Sequence, residues 1–287
     1  MKLNTIYGKK TVISFEIFPP KHGAALQNID ETLEILCSLK PAFISVTFGA
    51  GGSTVNSKTV EIAKKIKEVY RVEPVVHLSC LNYTRSEILA MLNELREAGI
   101  ENILALRGDR NPDVTPREDF HYASDLIRFI REQTGDEFNI SAACYPETHP
   151  EAVSREQDIL RLKEKVDNGA AHLISQLFFD NTSFYQFLGE VREAGIAVPV
   201  EAGIMPVTNK AQIERMVNLC GATLPEKYRK IMDRYENSKD ALFDAGVIYA
   251  LNQVVDLIAN GVDGVHLYTM NNPVLAKRIC DEIKNLI

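Results

Sequence analysis

The chain has 287 residues, 45% of them hydrophobic and 25% charged, proportions of a globular protein with a real core and room for one large α/β barrel or two small domains. A net charge of −7 argues against broad nucleic-acid binding, which needs a basic surface, but leaves room for an anionic small molecule held by a few local cations. The five cysteines are scattered and never spaced C-x-x-C, so no disulfide framework or metal site is expected; the start lacks the apolar core of a signal peptide and no run of 18 apolar residues occurs, so a cytoplasmic protein is expected.

Eight short β-like runs alternate with amphipathic helical stretches. The first run, 11–18, leads into Ser14-Phe15-Glu16-Ile17-Phe18-Pro19-Pro20. Alternation places Ser14, Glu16 and Phe18 on one face and Phe15 and Ile17 on the other. A carboxylate amid this much apolar surface has a raised pKa and suits proton donation near neutral pH; a glutamate salt-bridged at a barrel rim is the alternative. The next helix carries Leu26, Ile29, Leu33 and Leu36 at i, i+3, i+7 and i+10. After the second run, 42–48, Gly49-Ala50-Gly51 opens a dinucleotide-like turn, but Thr54 stands in the place of the third glycine and the Rossmann fingerprint fails. Ile62, Ile66 and Val69 stripe the helix that follows.

The third run, 73–79, carries His77, which reads as a satisfied core histidine, and Thr84 with Glu87 forms a capping box. The fourth, 102–107, leads into Arg107-Gly108-Asp109, where the glycine lets backbone approach a ligand; an ion pair capping the loop is the alternative. The fifth, 139–145, leads into Tyr145-Pro146-Glu147-Thr148-His149-Pro150, a rigid loop with the makings of a binding surface. Ser154 with Gln157 caps a helix bearing Asp158, Arg161 and Lys165, alone a solvated charged face. The sixth, 171–178, includes Gln176, an amide able to read a planar heterocycle or to satisfy backbone. Between the seventh, 197–204, and the eighth, 262–269, helical segments around 209–219, 224–236 and 239–260 form an insertion.

R-E-A-G-I occurs at Arg96–Ile100 and again at Arg192–Ile196, each time joining a helix end to a strand, and Gly99, Gly135, Gly169 and Gly195 sit where helices should stop. Near-continuous apolar runs are those of parallel strands covered by helices. Eight βα units without a Pro/Ser/Gly-rich linker predict a single (β/α)8 TIM-type barrel over 1–287, with extra helices between strands 7 and 8 and the site at the carboxyl ends of the strands.

The ordered series S-F-E-I-F-P-P (14–20), S-V-T-F-G-A (45–50), H-L-S-C (77–80), A-L-R-G-D (105–109), Y-A-S-D-L (122–126) and A-A-C-Y-P-E-T-H-P-E-A (142–152) resembles the 5,10-methylenetetrahydrofolate reductase family. So do D-x-x-x-L-K-x-K-V-D-x-G-A (158–170), I-S-Q-L-F-F-D (174–180), G-I-M-P-V (203–207) and H-L-Y-T-M-N (266–271). The match covers residue 11 onward, one motif on nearly every unit.

The resemblance implies an FAD-containing oxidoreductase in which NADH or NADPH reduces the flavin and methylenetetrahydrofolate then takes the hydride, a step of one-carbon metabolism. It implies Glu16 as the acid that opens the folate ring and Asp109 as the carboxylate beside flavin and pterin. It makes Gln176 the amide contacting folate and nicotinamide in turn, with Thr47 and Gln212 as further substrate contacts. The FAD set it implies begins with Phe48, Ala50, His77, Arg107, Gly108 and Asp109, continues through Tyr122, Ala123, Tyr145, His149 and Ala152, and ends with Asp158, Arg161 and Lys165. A homo-oligomer, dimer or tetramer, is implied too, with small-molecule partners only. The lack of a long C-terminal extension goes with no regulatory domain of the eukaryotic kind.

Three departures stand out. Asn272 replaces an arginine of familiar bacterial members and reads with Pro273 as an N-cap and first helical residue. Met216 replaces a phenylalanine of some members, and Arg161 and Glu164 break a common pattern along the FAD helix. A folate-binding partner subunit without redox activity and another flavin-barrel dehydrogenase are the competing readings.

Overall fold

Strands β1 (Val12–Ile17), β2 (Phe43–Val46), β3 (Glu73–Ser79) and β4 (Asn102–Leu106) pair in parallel with β5 (Asn139–Cys144), β6 (His172–Ser175), β7 (Val200–Ile204) and β8 (Gly264–Tyr268) to close a barrel in sequence order. The computed structural model describes residues 1–8, 10–20, 25–48, 53–109 and 117–287, without the side chains of 25–28 and 53–57. Ala50, with Gly49 and Gly51, therefore lies outside the described residues, as does the side chain of Leu26.

Helices α1 (Ala25–Ser38), α2 (Ser53–Glu68), α3 (Arg85–Glu97), α4 (Ala123–Thr134), α5 (Arg155–Asp167), α6 (Asn181–Glu193) and α10 (Pro273–Ile283) cover the outside. The insertion after β7 is three helices, α7 (Lys210–Cys220), α8 (Glu226–Tyr235) and α9 (Lys239–Ala259). Phe15 and Ile17 face outward and are fully buried in the main core with Leu33, Leu36, Ile62 and Ile66. The stripe expected through Val69 ends earlier: α2 stops at Glu68 and Val69 is exposed. The α8–α9 pair is pinned by Tyr228 stacked on Tyr249 at 3.8 Å and by the Tyr249 hydroxyl donating to the Phe179 carbonyl at 2.7 Å. Gly246 of α9 lies against the chain leaving β7, where a Cβ would sit 1.8 Å from the Val207 carbonyl oxygen, so no larger residue fits.

The caps are as the sequence predicts, with one change. Thr84 and Glu87 form the full reciprocal box, whereas Ser154 receives the Gln157 N–H and the Gln157 side chain turns to Val153 instead. Strands β2, β6 and β7 are shorter than their apolar runs, because hydrophobicity continues into buried loop residues such as Leu177, Phe178 and Phe179 that leave the ladder. Asn272 caps α10, its side chain accepting from Leu275 N–H at 3.2 Å, with Pro273 in the first turn. Asn272→Ala is therefore expected to lower stability by about 1 kcal/mol, read as a denaturation midpoint shift at unchanged slope.

Beside an apolar cluster of Phe43, Val75, Leu104 and Ile174, the barrel interior holds a polar network that the apolar runs do not reveal. Glu201 is fully buried, accepting from the Tyr7 hydroxyl at 2.6 Å through one oxygen and from Ser14 through the other. Tyr7 also meets His172 Nε2 at 2.6 Å, and Ser14 meets His266 Nδ1 at 2.6 Å. Because each hydroxyl proton is committed to the carboxylate, the imidazoles must be the donors, which assigns hydrogen to His172 Nε2 and His266 Nδ1. Ser141 and Ser45 complete the row at 2.9 Å and 3.2 Å, donating to His172 Nδ1 and His266 Nε2. Burial pushes the Glu201 carboxyl up, but His172, His266 and Ser14 outweigh it and hold it below the ordinary carboxylate value.

Candidate functional site

A cleft of about 2080 Å³ opens at the carboxyl ends of the strands, and all but two of the predicted site residues line it. Ala50 is undescribed; Gln212 is described but is not among the lining residues. Gln212 lies on the first turn of α7, its N–H bonded to the Asn209 side chain at 3.2 Å, and Met216, one turn further on, is the α7 residue that reaches the cleft. Gln212 and Met216 lie on the same side of α7, so it is position along the helix, not phase, that separates them.

Glu16, next to last in β1, sits inside the mouth with one-fifth of its side chain exposed. Its neighbours are His77 Nε2 at 3.5 Å and His266 Nε2 at 4.0 Å; among the described residues no lysine or arginine pairs with it. Among the described residues, Glu16 therefore sits in a desolvated pocket and not in a salt bridge to a rim lysine or arginine. Burial pushes the Glu16 carboxyl up to about 8. Burial, reinforced by His266, pulls His77 down to about 3, so at neutral pH a protonated acid faces a neutral imidazole. Nor is His77 a satisfied core histidine: its buried Nε2 has no hydrogen-bond partner among the described residues.

Beyond β2, Thr47 continues the ladder, its N–H donating to the Ile17 carbonyl at 3.0 Å, and the Phe48 ring meets Tyr83 edge-on at 5.8 Å. After β4, Gly108 takes φ 89°, and a Cβ there would crowd the Ser79 side chain at 3.1 Å, so Arg107 and Asp109 flank a bend that favours glycine. Arg107 does form an ion pair, but its fork grips Glu151 at 2.6 Å and 2.8 Å, on the neighbouring loop, rather than Asp109.

The loop after β5 and the start of α5 form the opposite wall. Asp158 accepts the His149 N–H at 3.0 Å, the Tyr145 and His149 rings meet edge-on at 4.5 Å, and Ala152 lines the cleft beside them. Lys165 donates to the Ala143 carbonyl at 2.9 Å, and burial pulls its ammonium below the ordinary lysine value. The α5 charges are therefore not one solvated face. Asp158 and Lys165 turn inward, while Arg161 is exposed, paired with Glu164 at 3.0 Å and lying over the Tyr122 ring at 5.2 Å. Tyr122 and Ala123 begin α4.

Gln176, past the end of β6, accepts the Leu177 N–H at its side-chain Oε1 at 2.9 Å, which fixes the amide plane at the cleft. Tyr268, Met205 and Met270 also line the cleft and were not singled out from the sequence. Tyr268 had a readable signal as the third residue of the 266–271 motif; its hydroxyl donates to the Ser175 carbonyl at 2.7 Å.

A family profile described as methylenetetrahydrofolate reductase matches residues 2–284. The chain is 36% identical over 275 residues to "Methylenetetrahydrofolate reductase (NADH) 1" of Arabidopsis thaliana, matching 91% of this chain and 46% of that protein, so it spans about half the length of the plant relatives. It is 37% identical over 268 residues to "5,10-methylenetetrahydrofolate reductase" of Escherichia coli strain K12, matching 93% of this chain and 89% of that protein. Among solved structures, a protein from Clostridium thermocellum described as binding two copies of 5-methyl-5,6,7,8-tetrahydrofolic acid superposes with a TM-score of 0.67 at 13% identity over 97% of both chains, a likeness of fold.

Proposed function

The chain belongs to the methylenetetrahydrofolate reductase family, and on that premise we propose that it reduces 5,10-methylenetetrahydrofolate to 5-methyltetrahydrofolate with electrons from NADH or NADPH, passed in two half-reactions through a bound FAD. The observation that carries this reading is Glu16: a carboxyl pushed up to about 8, in the barrel mouth, beside an imidazole that stays neutral. Opening the folate imidazolidine requires a proton at the leaving nitrogen, and an acid still protonated at neutral pH supplies it.

FAD, when bound, supplies the hydride acceptor and donor. The donor set of this chain fits it. Arg107 and Lys165 give one side of the cleft a cationic wall in an otherwise acidic protein, and His149, which burial keeps neutral, and the unpartnered His77 Nε2 line the same cleft. These would hold the diphosphate and the ring system, with Gly108 allowing close backbone approach and Phe48, Tyr122, Ala123, Tyr145, Ala152, Asp158 and Arg161 shaping the remainder. Glu151 fills the Arg107 fork in the structure, so diphosphate binding there requires that pair to part. Thr47, Asp109 and the fixed amide of Gln176 would orient the folate against the acid. A folate carrier without redox chemistry has no use for the cationic wall.

The protein is expected to purify with about one FAD per chain and to be bleached anaerobically by NADH or NADPH, then recoloured by methylenetetrahydrofolate. Lys165→Ala removes a charge-assisted contact worth roughly 1.5–3 kcal/mol and should weaken FAD retention by roughly 10- to 10²-fold, measured as flavin released on dilution. A protein that neither contains nor takes up FAD overturns the flavoenzyme reading.

A further inference from the structure

The chain leaving β8 turns through two consecutive left-handed residues, Met270 at φ 51° and Asn271 at φ 55°, neither of them glycine. Left-handed backbone is sparsely populated for side-chain-bearing residues, and two in a row persist only where surrounding contacts hold them. Here the long-range contacts lead to the end of β1 and to Phe18 just beyond it. The Asn271 amide is bonded through both ends to one residue, Oδ1 accepting the Phe18 N–H at 3.0 Å and Nδ2 donating to the Phe18 carbonyl at 2.8 Å. Thr269 donates to the Glu16 carbonyl at 2.7 Å and accepts the Asn271 N–H at 3.2 Å. The β1–β8 register ends at Glu16 opposite Tyr268, so these side chains prolong the pairing past the point where the backbone ladder stops.

We propose that Thr269 and Asn271 are positioning residues for the proton-donating Glu16: the left-handed turn aims the Asn271 amide back across the barrel mouth, where with Thr269 it fixes the backbone at the acid's own carbonyl and two residues beyond it. The clamp touches no residue of the cationic wall, so it bears on proton delivery and not on flavin binding. The inference rests on Glu16 being the folate acid. Local sequence does not reveal the clamp, since Phe18 and Asn271 are 253 positions apart.

Asn271→Gly is the discriminating variant, because glycine adopts the left-handed turn freely and only the amide is lost. Stopped-flow absorbance should show flavin reduction by NAD(P)H unchanged and reoxidation by methylenetetrahydrofolate slowed by roughly 10- to 10²-fold, the loss expected when a reacting group is misplaced by about an ångström. Asn271→Asp, which keeps the acceptor for the Phe18 N–H, should recover part of it. In the Glu16→Gln background, Asn271→Gly should add nothing, because the proton it positions is gone. A readout independent of turnover is the infrared carboxyl band of protonated Glu16, identified by its loss in Glu16→Gln, whose titration should shift in Asn271→Gly. Multiplicative slowing in the double variant, or an unshifted band with unslowed reoxidation, overturns the clamp. An unslowed Glu16→Gln single variant overturns the acid assignment itself, and is recognised in that arm alone.

Discussion

Glu16→Gln is expected to be reduced by NAD(P)H at close to the wild-type rate and to be reoxidised by methylenetetrahydrofolate at least roughly 10²-fold more slowly, the low end for losing a general acid. Hydride transfer from nicotinamide to flavin needs no proton at a leaving nitrogen, whereas opening the folate ring does. Glutamine keeps the shape of the side chain and removes the titratable proton. Stopped-flow absorbance separates the steps; equal slowing of both would make Glu16 structural, and slowing of neither would place the proton elsewhere.

The same variant carries a stability signature. The Glu16 carboxyl is raised from an ordinary value of 4.5 to about 8 in the folded chain. Between those values the folded state holds a proton that the unfolded state has lost, so stability falls as pH rises through the window and levels off above it. The difference above about pH 8 is on the order of a few kcal/mol. Glu16→Gln should abolish that slope and be more stable than wild type at pH 8, a functional group held in place at the expense of the fold. A chemical-denaturation series from pH 5 to 9 decides it: parallel curves for the two proteins mean that Glu16 is not the group titrating there.

Glu201→Gln is expected to lower stability by about 3–5 kcal/mol, the range for removing one partner from a buried ionic network. Glu201 accepts from two hydroxyls, Ser14 and Tyr7, each backed by an imidazole N–H. An amide brings an N–H2 against one of those donors and leaves a buried group unsatisfied. The wild-type contribution also has a definite pH sense. Because the folded-state value of Glu201 is depressed, its stabilisation is present above the ordinary carboxylate value and is lost as pH falls through the depressed one. The variant should lack that acid-side loss. A denaturation midpoint within 1 kcal/mol of wild type would mean the network contributes nothing net.

Much of the site was legible in single loops, because barrel architecture delivers the end of every strand to one face. Glu16, Arg107, Tyr145, His149 and Gln176 each stand at such an end, and naming them needed no knowledge of their neighbours. The failures share a cause. An ion pair at the loop after β4 is legible in Arg107, but its partner is not: the fork is held by Glu151 at a separation of 44. His77 reads as a satisfied core histidine because nothing local says whether a partner arrives from another strand, and among the described residues none reaches its Nε2. Gln212 is one turn from Met216 on the same side of α7, and the seating of that helix, which contiguous residues do not give, brings Met216 to the cleft lining.

By itself the sequence determined what depends on neighbours within a few positions: eight apolar runs in order, the helices between them, the caps at Thr84 and Asn272, and the three-helix insertion after β7. Periodicity, capping and turn chemistry act over one or two helical turns, so they are written in contiguous residues. Only the tertiary structure decided what the strand interiors meet. Ser14 and Glu201 are 187 positions apart, Ser14 and His266 are 252 apart, and each reads alone as a polar interruption in an apolar run. Closing the barrel removes water from all of them at once, and a buried polar group is tolerable only beside a partner; that requirement, imposed by closure, is what sorts Glu201 into a structural network and leaves Glu16 protonated at the mouth.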